Sequence, residues 1–530
     1  MNSRYAILIF LTVVFIFSFN QFKEADSFYH LKTGQAIWEA KAIPQTDIFS
    51  FTAVGRPWVT HEWLAEVIFY LLAKISLWAV IFFIAGLSVA TYFLLWLRSR
   101  LLGASAEWTV LALLVFGLLT FELWIPRPQV FSFFLAALLL LLLDSYRKTG
   151  RAKYITGLPI LILLWANMHA SFLLGLIIIL FYAGYEQATK KPVRLLWLTF
   201  GSSLFLSFLN PNGFRIYTYA WDILPAVNAL SILEWKSIVY FWSKPQVKVF
   251  LVMIFMTWGG LVYLRRSKIK EHALPILLIS VAAILPLVAI RHVGFWPVIA
   301  APLAAAALTE STKLREFAAG KNFRIGLIIF SVFLITVRLT QIDSRPINKL
   351  ALPVQAADFA AKAGIKGPLF NFYNDGGYLI WRLWPGEKVF IDGRSEVYDE
   401  ETVNDYKAIT EVKDDWQALL EEKYGIDFVI FSYRNVLNYE ASKRFAEGLL
   451  VENFALIYWD DTALIFVSDT QTNRSLIDKY ALSHVEPFRD PEGIPLSEKK
   501  DALRELQILL DRQPESQVIR KYTELLLKNQ

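Results

Sequence analysis

The chain has no cysteine, and this absence excludes several kinds of chemistry. Disulfides, iron–sulfur clusters and zinc sites built from thiolates all need cysteine side chains. A large domain outside the cytoplasm that has no disulfides fits a bacterial protein better than a protein of the secretory pathway. The sequence therefore favours a bacterial protein without cysteine-based cofactors.

Familiar nucleotide and protease motifs are absent as well. No GxGxxG or Walker-type loop occurs, so a nucleotide-dependent enzyme is not supported. The segment HEWLAE begins at His61 and resembles the zinc-protease motif HExxH, but Ala65 stands where the second histidine is required. No internal repeat is visible, whereas inverted repeats are typical of many transporters.

Charged residues are scarce, at 19% of the chain, whereas 55% of the residues are hydrophobic and the mean hydropathy is +0.42. This composition predicts a polytopic α-helical membrane protein. The run Trp63–Ile75 fits either an interfacial helix or the start of an overlong second span. About eleven other apolar runs are near spanning length, at roughly 5–19, 77–97, 107–124, 129–145, 154–168, 171–187, 194–209, 246–264, 272–290, 293–309 and 324–340.

The loops between these runs alternate in charge. The basic loops contain Arg98–Arg100, Arg147–Lys153, Lys190–Arg194, Arg265–Lys270 and Lys313–Arg324. By the positive-inside rule they are cytoplasmic, which predicts a cytoplasmic N-terminus, an uncleaved first span and an extracytoplasmic C-terminal part. The net charge of +6 is explained by these loops, so no nucleic-acid partner is inferred. We expect a multi-pass protein of a bacterial inner membrane.

Three regions are predicted from these patterns. Residues 1–340 form the transmembrane domain, with a long first outer loop at 20–62; residues 341–470 form an extracytoplasmic α/β domain; and residues 471–530 form a helical tail. Helices are predicted at 351–363, 400–408 and 414–423, and strands at 368–373, 427–432, 455–459 and 463–467. The segment NDGGYLIWRLWPGEKVFIDGRSEVYD that follows residue 373 is predicted to form a turn at 374–377, a short helix, a second turn and a strand that ends at Asp392.

Asp26 is the candidate catalytic residue, because it follows the first span closely, at the membrane boundary. A carboxylate there can act as a general base or hold a divalent cation. The alternative is that Asp26 only caps a short amphipathic helix, predicted over 26–40 at the membrane interface.

Several histidines and one acid converge on the same outer face: His30, His61, Glu62, His169 and His292. Together, imidazoles and carboxylates can position an acceptor or bind a divalent cation, although their spacing supports no particular metal. The alternative for Glu62 is a helix-dipole role in the first turn of a helix that Thr60 caps, and a lone histidine such as His169 is often structural.

Two arginines, Arg127 between two prolines and Arg291 at the start of a span, lie on that face too. Arginine at a membrane boundary is usually paired or functional, and a guanidinium suits a phosphate or pyrophosphate group. Snorkelling to lipid phosphates is the alternative.

The predicted α/β domain has one dense motif, NDGGY at 374–378 followed by IDGR at 391–394. Asp375, Asp392 and Arg394 are candidate ligand-binding residues, because open α/β sheets bind ligands at the carboxyl ends of strands. They are alternatively turn residues with a surface ion pair between Asp392 and Arg394.

The segments ADSFYHLKTGQAIWEAKAIPQTDIFSFTAVGRPWVTHEWLAE, NPNGFRIY and NFYNDGGYLIWRLWPGEKVFIDGR resemble a group of bacterial membrane proteins related to the GT-C superfamily of integral-membrane glycosyltransferases. The whole chain shares the superfamily's layout. The resemblance implies a sugar donor carried on polyprenyl phosphate or pyrophosphate at the outer face, with Asp26 as base or metal ligand. Many members carry two adjacent acids there. Because Ser27 follows Asp26, the second acid and the use of Mn²⁺ or Mg²⁺ stay open.

The leading hypothesis is thus a glycosyltransferase that acts on an unidentified lipid, glycan or protein acceptor. Asp26 would be its base, and Arg127 and Arg291 would be its phosphate ligands. A transporter or flippase for lipid-linked glycans, and a non-catalytic envelope-assembly protein, are the alternatives.

Overall fold

The computed structural model describes residues 3–264, 269–434 and 439–528, so most of the predicted basic loop, Arg265–Lys268, lies outside the described residues. The helices of the N-terminal part are α1 Ser3–Phe17, α2 Asp26–Ala40, α3 Trp63–Ile75, α4 Leu77–Leu101, α5 Ala106–Leu118, α6 Gln129–Thr149, α7 Leu158–Ala166, α8 Phe172–Ala188, α9 Arg194–Ser207, α10 Arg215–Asp222, α11 Leu224–Ala229, α12 Pro245–Leu264, α13 Ile269–Val288, α14 Phe295–Glu310, α15 Thr312–Ala319 and α16 Lys321–Leu339. Each predicted apolar run overlaps one of these helices.

Five helical segments are long and apolar enough to cross a membrane: α4, α6, most of α12, α14 with the turn before it, and α16. Apolar helices of 10–17 residues lie in α1, α5, α8, α13 and the segment that ends with α7. The chain is therefore a multi-pass α-helical membrane protein.

The basic helix ends meet at one end of this bundle. Lys148 donates a hydrogen bond of 3.0 Å to a backbone carbonyl at the end of α4. Arg147 binds Glu186 of α8 at 2.7 Å, and Arg324 of α16 binds Glu107 of α5 at 2.9 Å. The predicted cytoplasmic loops that these contacts involve thus share one end of the described structure.

Arg98, predicted as part of a basic loop, lies instead in the last turn of α4 and is completely buried. Its Nε donates to Asp144 at 2.8 Å, and its Nη1 donates to the backbone carbonyl of Val298 at 3.2 Å. Pro302 follows Val298 by four residues in α14 and has no N–H to donate. Arg98 therefore replaces a helix donor that the proline removes.

The C-terminal α/β region, residues 354–528, comprises α17 Val354–Ala363, β1 Leu369–Asn371, α18 Tyr373–Leu383, α19 Glu400–Thr410, α20 Trp416–Ala418, β2 Phe428–Ser432, α21 Tyr439–Val451, β3 Phe454–Trp459, β4 Ala463–Ser468, α22 Arg474–Tyr480, α23 Lys499–Arg512 and α24 Gln517–Lys528. The sheet order is β1-β2-β4-β3. β1 and β2 are parallel, and the other two pairs are antiparallel. The predicted first helix and four of the predicted strands are confirmed as α17 and β1–β4, and α22, α23 and α24 lie within the predicted tail.

Two local predictions in this region are wrong. Residues 374–377 are helical, within α18, because Gly376 and Gly377 serve close packing rather than a turn; a Cβ on either would overlap a backbone carbonyl. The segment before Asp392 does not join the sheet. Its Val389 exchanges backbone hydrogen bonds of 3.2 and 3.1 Å with Phe49 and Phe51 of the first long loop.

Helix α2 has the predicted bounds but not the predicted interfacial position. It is largely buried and packs against α3 and α18. A Cβ on Gly34 would overlap the carbonyl oxygen of Glu66, so α2 and α3 are in direct backbone contact. α3 ends at Ser76, which is extended and whose hydroxyl accepts a hydrogen bond from Ala79 at the start of α4. The ambiguous run Trp63–Ile75 is therefore a helix of its own.

Candidate functional site

A cavity of about 840 Å³ lies between the bundle end opposite the basic loops and the C-terminal α/β region. Segments 23–30, 58–66 and 216–235, the starts of α6 and α8, part of α13 and residues 393–396 all contribute to its wall. The predicted site residues in the lining are Asp26, His30, His61, Glu62, Arg127, His169, Arg291, His292 and Arg394. Residues from distant parts of the sequence thus share one chamber.

Asp26 is the first residue of α2, and the helix start has no side-chain cap, so the capping alternative is not supported. Its Oδ2 pairs with Arg127, and 26% of its side chain is exposed. Burial raises the pKa of Asp26 to about 6; Arg127 opposes this shift, while Glu234 and Glu24 add to it. The carboxylate is therefore charged at neutral pH yet basic enough to accept a proton.

Arg127 is bound by three carboxylates, one at each of its nitrogens. Nε lies 2.9 Å from Glu24, Nη1 donates to Glu234 at 2.7 Å, and Nη2 pairs with Asp26. Burial opposes the charged form of Arg127, but these acids raise its pKa well above the usual value. A phosphate could reach this guanidinium only by displacing a carboxylate, so the geometry favours Arg127 as the residue that holds Asp26 in place.

Arg291 is more open than Arg127. Its Nη1 lies 3.3 Å from Glu234, and its guanidinium lies over the ring of Trp235 at 4.6 Å. Its backbone carbonyl accepts a hydrogen bond of 2.7 Å from Gln129. Since the remaining guanidinium nitrogens have no carboxylate partner among the described residues, Arg291, with its neighbour His292, is the better placed of the two arginines to bind an anion.

Glu62 is the meeting point of three histidines. Its Oε1 lies 3.5 Å from His61 and 3.6 Å from His169, and its Oε2 lies 3.7 Å from His30. Burial alone would raise the pKa of Glu62, but the histidines, His61 above all, hold it well below its usual value. Glu62 in turn outweighs the effect of burial on His61 and raises the pKa of that histidine. His61 and Glu62 therefore each favour the charged form of the other.

Two of these histidines are neutral, because burial lowers the pKa of His30 to about 4 and that of His169 to about 3. Nδ1 of His169 accepts a hydrogen bond of 3.1 Å from the backbone N–H of Ser171. The proton of neutral His169 is therefore on Nε2, which faces Glu62. This tautomer makes His169 a donor toward the cluster rather than a metal ligand.

Thr60 does not cap α3 as predicted; its hydroxyl donates to the carbonyl of Pro44 at 2.6 Å. Glu62 occupies the cap position of α3 without a capping hydrogen bond. Its carboxylate is thus free to face the histidines, and the helix-dipole alternative does not account for these contacts.

His30, Glu62 and Glu66 form the one group among the described residues whose ligand atoms fit a metal ion, all lying within 4.8 Å of one another. Nδ1 of His30 is 2.9 Å from Oε1 of Glu66. The sequence analysis missed Glu66. Its signal is the spacing of four residues from Glu62, which puts both carboxylates on one side of α3.

Asp392 and Arg394 were expected to bind a ligand in an outer domain, but they form a buried ion cluster with Asp47 of the first long loop. Arg394 donates to both oxygens of Asp392, at 2.8 and 2.7 Å, and lies 2.6 Å from Asp47. Its guanidinium also lies over the rings of Phe49 and Trp58. The cluster, here named the loop clamp, fastens the C-terminal α/β region to the loop.

Asp375 does not line the cavity either. Both of its carboxylate oxygens accept hydrogen bonds from Ser432 at the end of β2, 2.8 Å from the backbone N–H and 2.6 Å from the hydroxyl. Burial raises the pKa of Asp375 to about 6. Its contacts are those of a residue that joins α18 to the sheet.

The sequence analysis also missed two cavity carboxylates, Glu234 and Glu396. Glu396 lies in a short 3₁₀ turn, and among the described residues it has no ion pair or hydrogen bond with another side chain. Burial raises the pKa of Glu396. No local pattern could have shown this position, because contacts with distant parts of the chain, the loop clamp among them, bring the turn to the cavity.

No family model and no curated protein matches the chain. Solved structures do match. The oligosaccharyltransferase AglB from Archaeoglobus fulgidus, in complex with an inhibitory peptide and a dolichol-phosphate, aligns with a TM-score of 0.55 and 12% identity, over 89% of this chain and 75% of that one. The arabinofuranosyltransferase AftD from Mycobacteria aligns at 0.53 and 14%, over 89% and 40%. ArnT from Cupriavidus metallidurans in the apo state aligns at 0.52 and 13%, over 89% and 99%.

At these identities the likeness shows the fold. The chain shares the fold of these three solved structures, in agreement with the fold that the resemblance to the GT-C superfamily implies.

Proposed function

We propose that the protein is a glycosyltransferase that moves a sugar from a polyprenyl-phosphate or polyprenyl-pyrophosphate donor to a lipid, glycan or protein acceptor. The reaction takes place at the outer face of a bacterial inner membrane. The observation that carries this proposal is Asp26, a carboxylate with a pKa of about 6 at the edge of a cavity that also has an apolar wall.

Asp26 acts as the general base in this proposal. It takes a proton from the acceptor hydroxyl or amine as that group attacks the anomeric carbon of the sugar and the lipid phosphate leaves. A pKa of about 6 suits this role, because the group is mostly unprotonated at pH 7 and still a moderate base. Arg127 fixes the direction of the carboxylate.

The lipid-linked donor enters along the apolar wall. Leu174 and Ile177 of α8 and Val281 and Leu285 of α13 line the cavity, and Ile177 is 42% exposed. An exposed apolar wall between two membrane helices suits a polyprenyl chain better than a soluble donor. Arg291, beside His292, binds the donor phosphate and stabilises its charge as it leaves.

The acceptor is positioned by the polar wall formed by His61, Glu62 and His169.

The proposal also includes the membrane topology. Residues 1–340 form eleven spans with a cytoplasmic N-terminus, residues 341–470 form an extracytoplasmic α/β domain, and residues 471–530 form a helical tail. All cavity residues then lie on the extracytoplasmic side.

The test is a transfer assay in nanodiscs with radiolabelled polyprenyl-phosphate sugars and a membrane extract as the source of acceptor. The wild type should form a labelled product, and Asp26→Asn should lose about 10²- to 10⁴-fold in rate, as expected for a general base. The matched control is Asp343→Asn, which removes a carboxylate that binds only Arg345 near the end of α16.

Full activity of Asp26→Asn at the wild-type protein level would refute the role of Asp26. Absence of transfer from every donor by a folded wild type would favour the alternatives. A flippase would then move labelled lipid across a vesicle membrane, and an assembly protein would tolerate Asp26→Asn but lose function when residues 345–530 are removed.

A further inference from the structure

His30, Glu62 and Glu66 surround a small volume at the wall of the cavity. His30 comes from α2, and the two acids come from the start of α3. Oε1 of Glu66 is 2.9 Å and Oε2 of Glu62 is 3.7 Å from Nδ1 of His30. One imidazole nitrogen and two carboxylate oxygens, all within 4.8 Å of one another, can share one bound ion.

Glu66 is the residue whose contacts are incomplete. It is 2% exposed, and its Oε2 has no hydrogen-bond partner among the described residues. Its other oxygen contacts only His30. A buried, charged carboxylate without a cation or a full set of donors is strongly unfavourable, so Glu66 at this position takes up either a proton or a bound cation.

The charges of the whole cavity lead to the same conclusion. Six acids line it: Glu24, Asp26, Glu62, Glu66, Glu234 and Glu396. Of the four basic side chains in the lining, Lys23 pairs with Glu122 outside it, and Arg394 is bound in the loop clamp. Only Arg127 and Arg291 remain, and Glu234 contacts both. The acids of the lining therefore outnumber the lysine and arginine side chains that are available to an entering anionic donor.

We propose that His30, Glu62 and Glu66 bind one divalent transition-metal cation, Mn²⁺ or Zn²⁺. A set of one nitrogen and two oxygens suits these ions better than Ca²⁺ or Mg²⁺, which favour oxygen ligands alone. Three protein ligands leave coordination positions open toward the cavity. The role of the ion, to offset the charge of the donor phosphate, rests on the proposed function; the binding itself does not.

The backbone holds these ligands rigidly. Glu62 and Glu66 are one turn apart, and the contact between Gly34 and the carbonyl of Glu66 fixes α2 against α3. The position of His30 relative to both acids is therefore set by helix packing, which is the preorganisation that a metal site requires.

The test measures metal binding without any donor. The full-length protein, freed of its affinity tag and treated with EDTA, is titrated with MnCl₂ and followed by the loss of the free Mn²⁺ signal in electron paramagnetic resonance. Zn²⁺ is measured by elemental analysis after gel filtration. We expect one equivalent of metal per wild-type chain, and binding weakened roughly tenfold or more in Glu66→Gln and in His30→Gln.

The matched control is Glu505→Gln. Glu505 lies 2.8 Å from Nδ1 of His484, so it reproduces the histidine–carboxylate pair in the helical tail, outside the cavity and without a third ligand. This variant should bind metal as tightly as the wild type. If Glu66→Gln does not yield folded protein, Glu62→Gln, at a less buried position, gives the same comparison.

The proposal is overturned if the wild type retains neither ion, or if the cavity variants bind as tightly as the control. Metal binding by a protein that transfers no sugar would support the site while contradicting the proposed function. Transfer that persists in a metal-free wild type would support the proposed function and contradict the role of the ion, while the binding site itself is judged by the titration.

Discussion

Gly393 lies directly against the carboxylate of Asp26, so that a Cβ at position 393 would overlap Oδ1 of the acid. A Cβ on Gly377 would likewise overlap the carbonyl oxygen of Ala25, the preceding residue. Two glycines of the C-terminal α/β region therefore set the position of the first residue of α2. This region is part of the wall that holds the candidate base.

Gly393→Ala should lower the rate of transfer, by about 10- to 100-fold, with little change in the KM for the donor. The added methyl group displaces the Asp26 carboxylate, and small displacements of a reacting group are costly. Steady-state kinetics of the purified variant in nanodiscs will measure both values. Gly493→Ala is the control, because a Cβ there meets no atom within 4 Å. Unchanged kinetics in Gly393→Ala would show that Asp26 need not be held in place.

The rate of transfer should depend on pH through Asp26. Only the unprotonated carboxylate accepts a proton, so kcat/KM should rise with pH up to about 6 and level off above it. The groups that influence its charge are Arg127, Glu234, Glu24 and Asp392, and the tyrosines Tyr29 and Tyr373 face it as well.

Arg127→Gln should move this pH dependence upward. Arg127 lowers the pKa of Asp26 against the effect of burial, so its removal leaves burial and the neighbouring acids to raise the pKa further. Arg291→Gln, which is not among the groups that shift Asp26, should raise the KM for the donor and leave the midpoint near 6. A midpoint that stays fixed in Arg127→Gln would mean that another group controls the profile.

The sequence contained the local elements of the fold but not all of the cavity. Helix α2 could be predicted to the residue, because Asp26–Ala40 is a continuous helical pattern between turn residues. The burial of α2 could not be predicted, because α18, which covers it, lies more than three hundred residues later in the sequence. Gly376 and Gly377 indicated a turn, whereas their actual reason is close packing inside a helix, which depends on a partner that only the tertiary structure supplies.

The site residues also differ in whether the local sequence or only the tertiary structure reveals them. Asp26, His30 and Glu62 could be found because they follow an apolar run or precede one. Glu396 could not, since a turn in the C-terminal α/β region reaches the cavity only through tertiary contacts. Asp392 and Arg394 were selected for a dense motif, and their burial in an ion cluster with Asp47 could not be predicted, because Asp47 belongs to a distant loop.

Arg394→Gln should destabilise the protein, with a loss of about 3–5 kcal/mol, because it leaves Asp47 and Asp392 buried without their cation. Denaturant unfolding in detergent micelles, followed by tryptophan fluorescence, will measure the change. Arg345→Gln breaks an exposed pair with Asp343 and should leave the unfolding curve unchanged. Equal curves for the two variants would mean that the loop clamp adds no stability.

The absence of cysteine makes the topology directly measurable, because each introduced cysteine is the only thiol in the chain. Exposed positions are available on both predicted sides: Arg151 and Lys190 in basic loops, and Asp222 and Ser483 in the predicted outer parts. In spheroplasts, a membrane-impermeant maleimide should label Asp222→Cys and Ser483→Cys at once. It should label Arg151→Cys and Lys190→Cys only after permeabilisation.

The cysteine-free wild type gives the background for this labelling, and permeabilised cells give the maximum for each variant. The pattern tests the location of the site, because Asp222 ends α10, whose residues Ile216 and Tyr219 line the cavity. Labelling of Asp222→Cys only after permeabilisation would put the cavity on the cytoplasmic side. A donor presented at the outer leaflet could not then reach Asp26, and the proposed reaction would have to be rejected together with the topology.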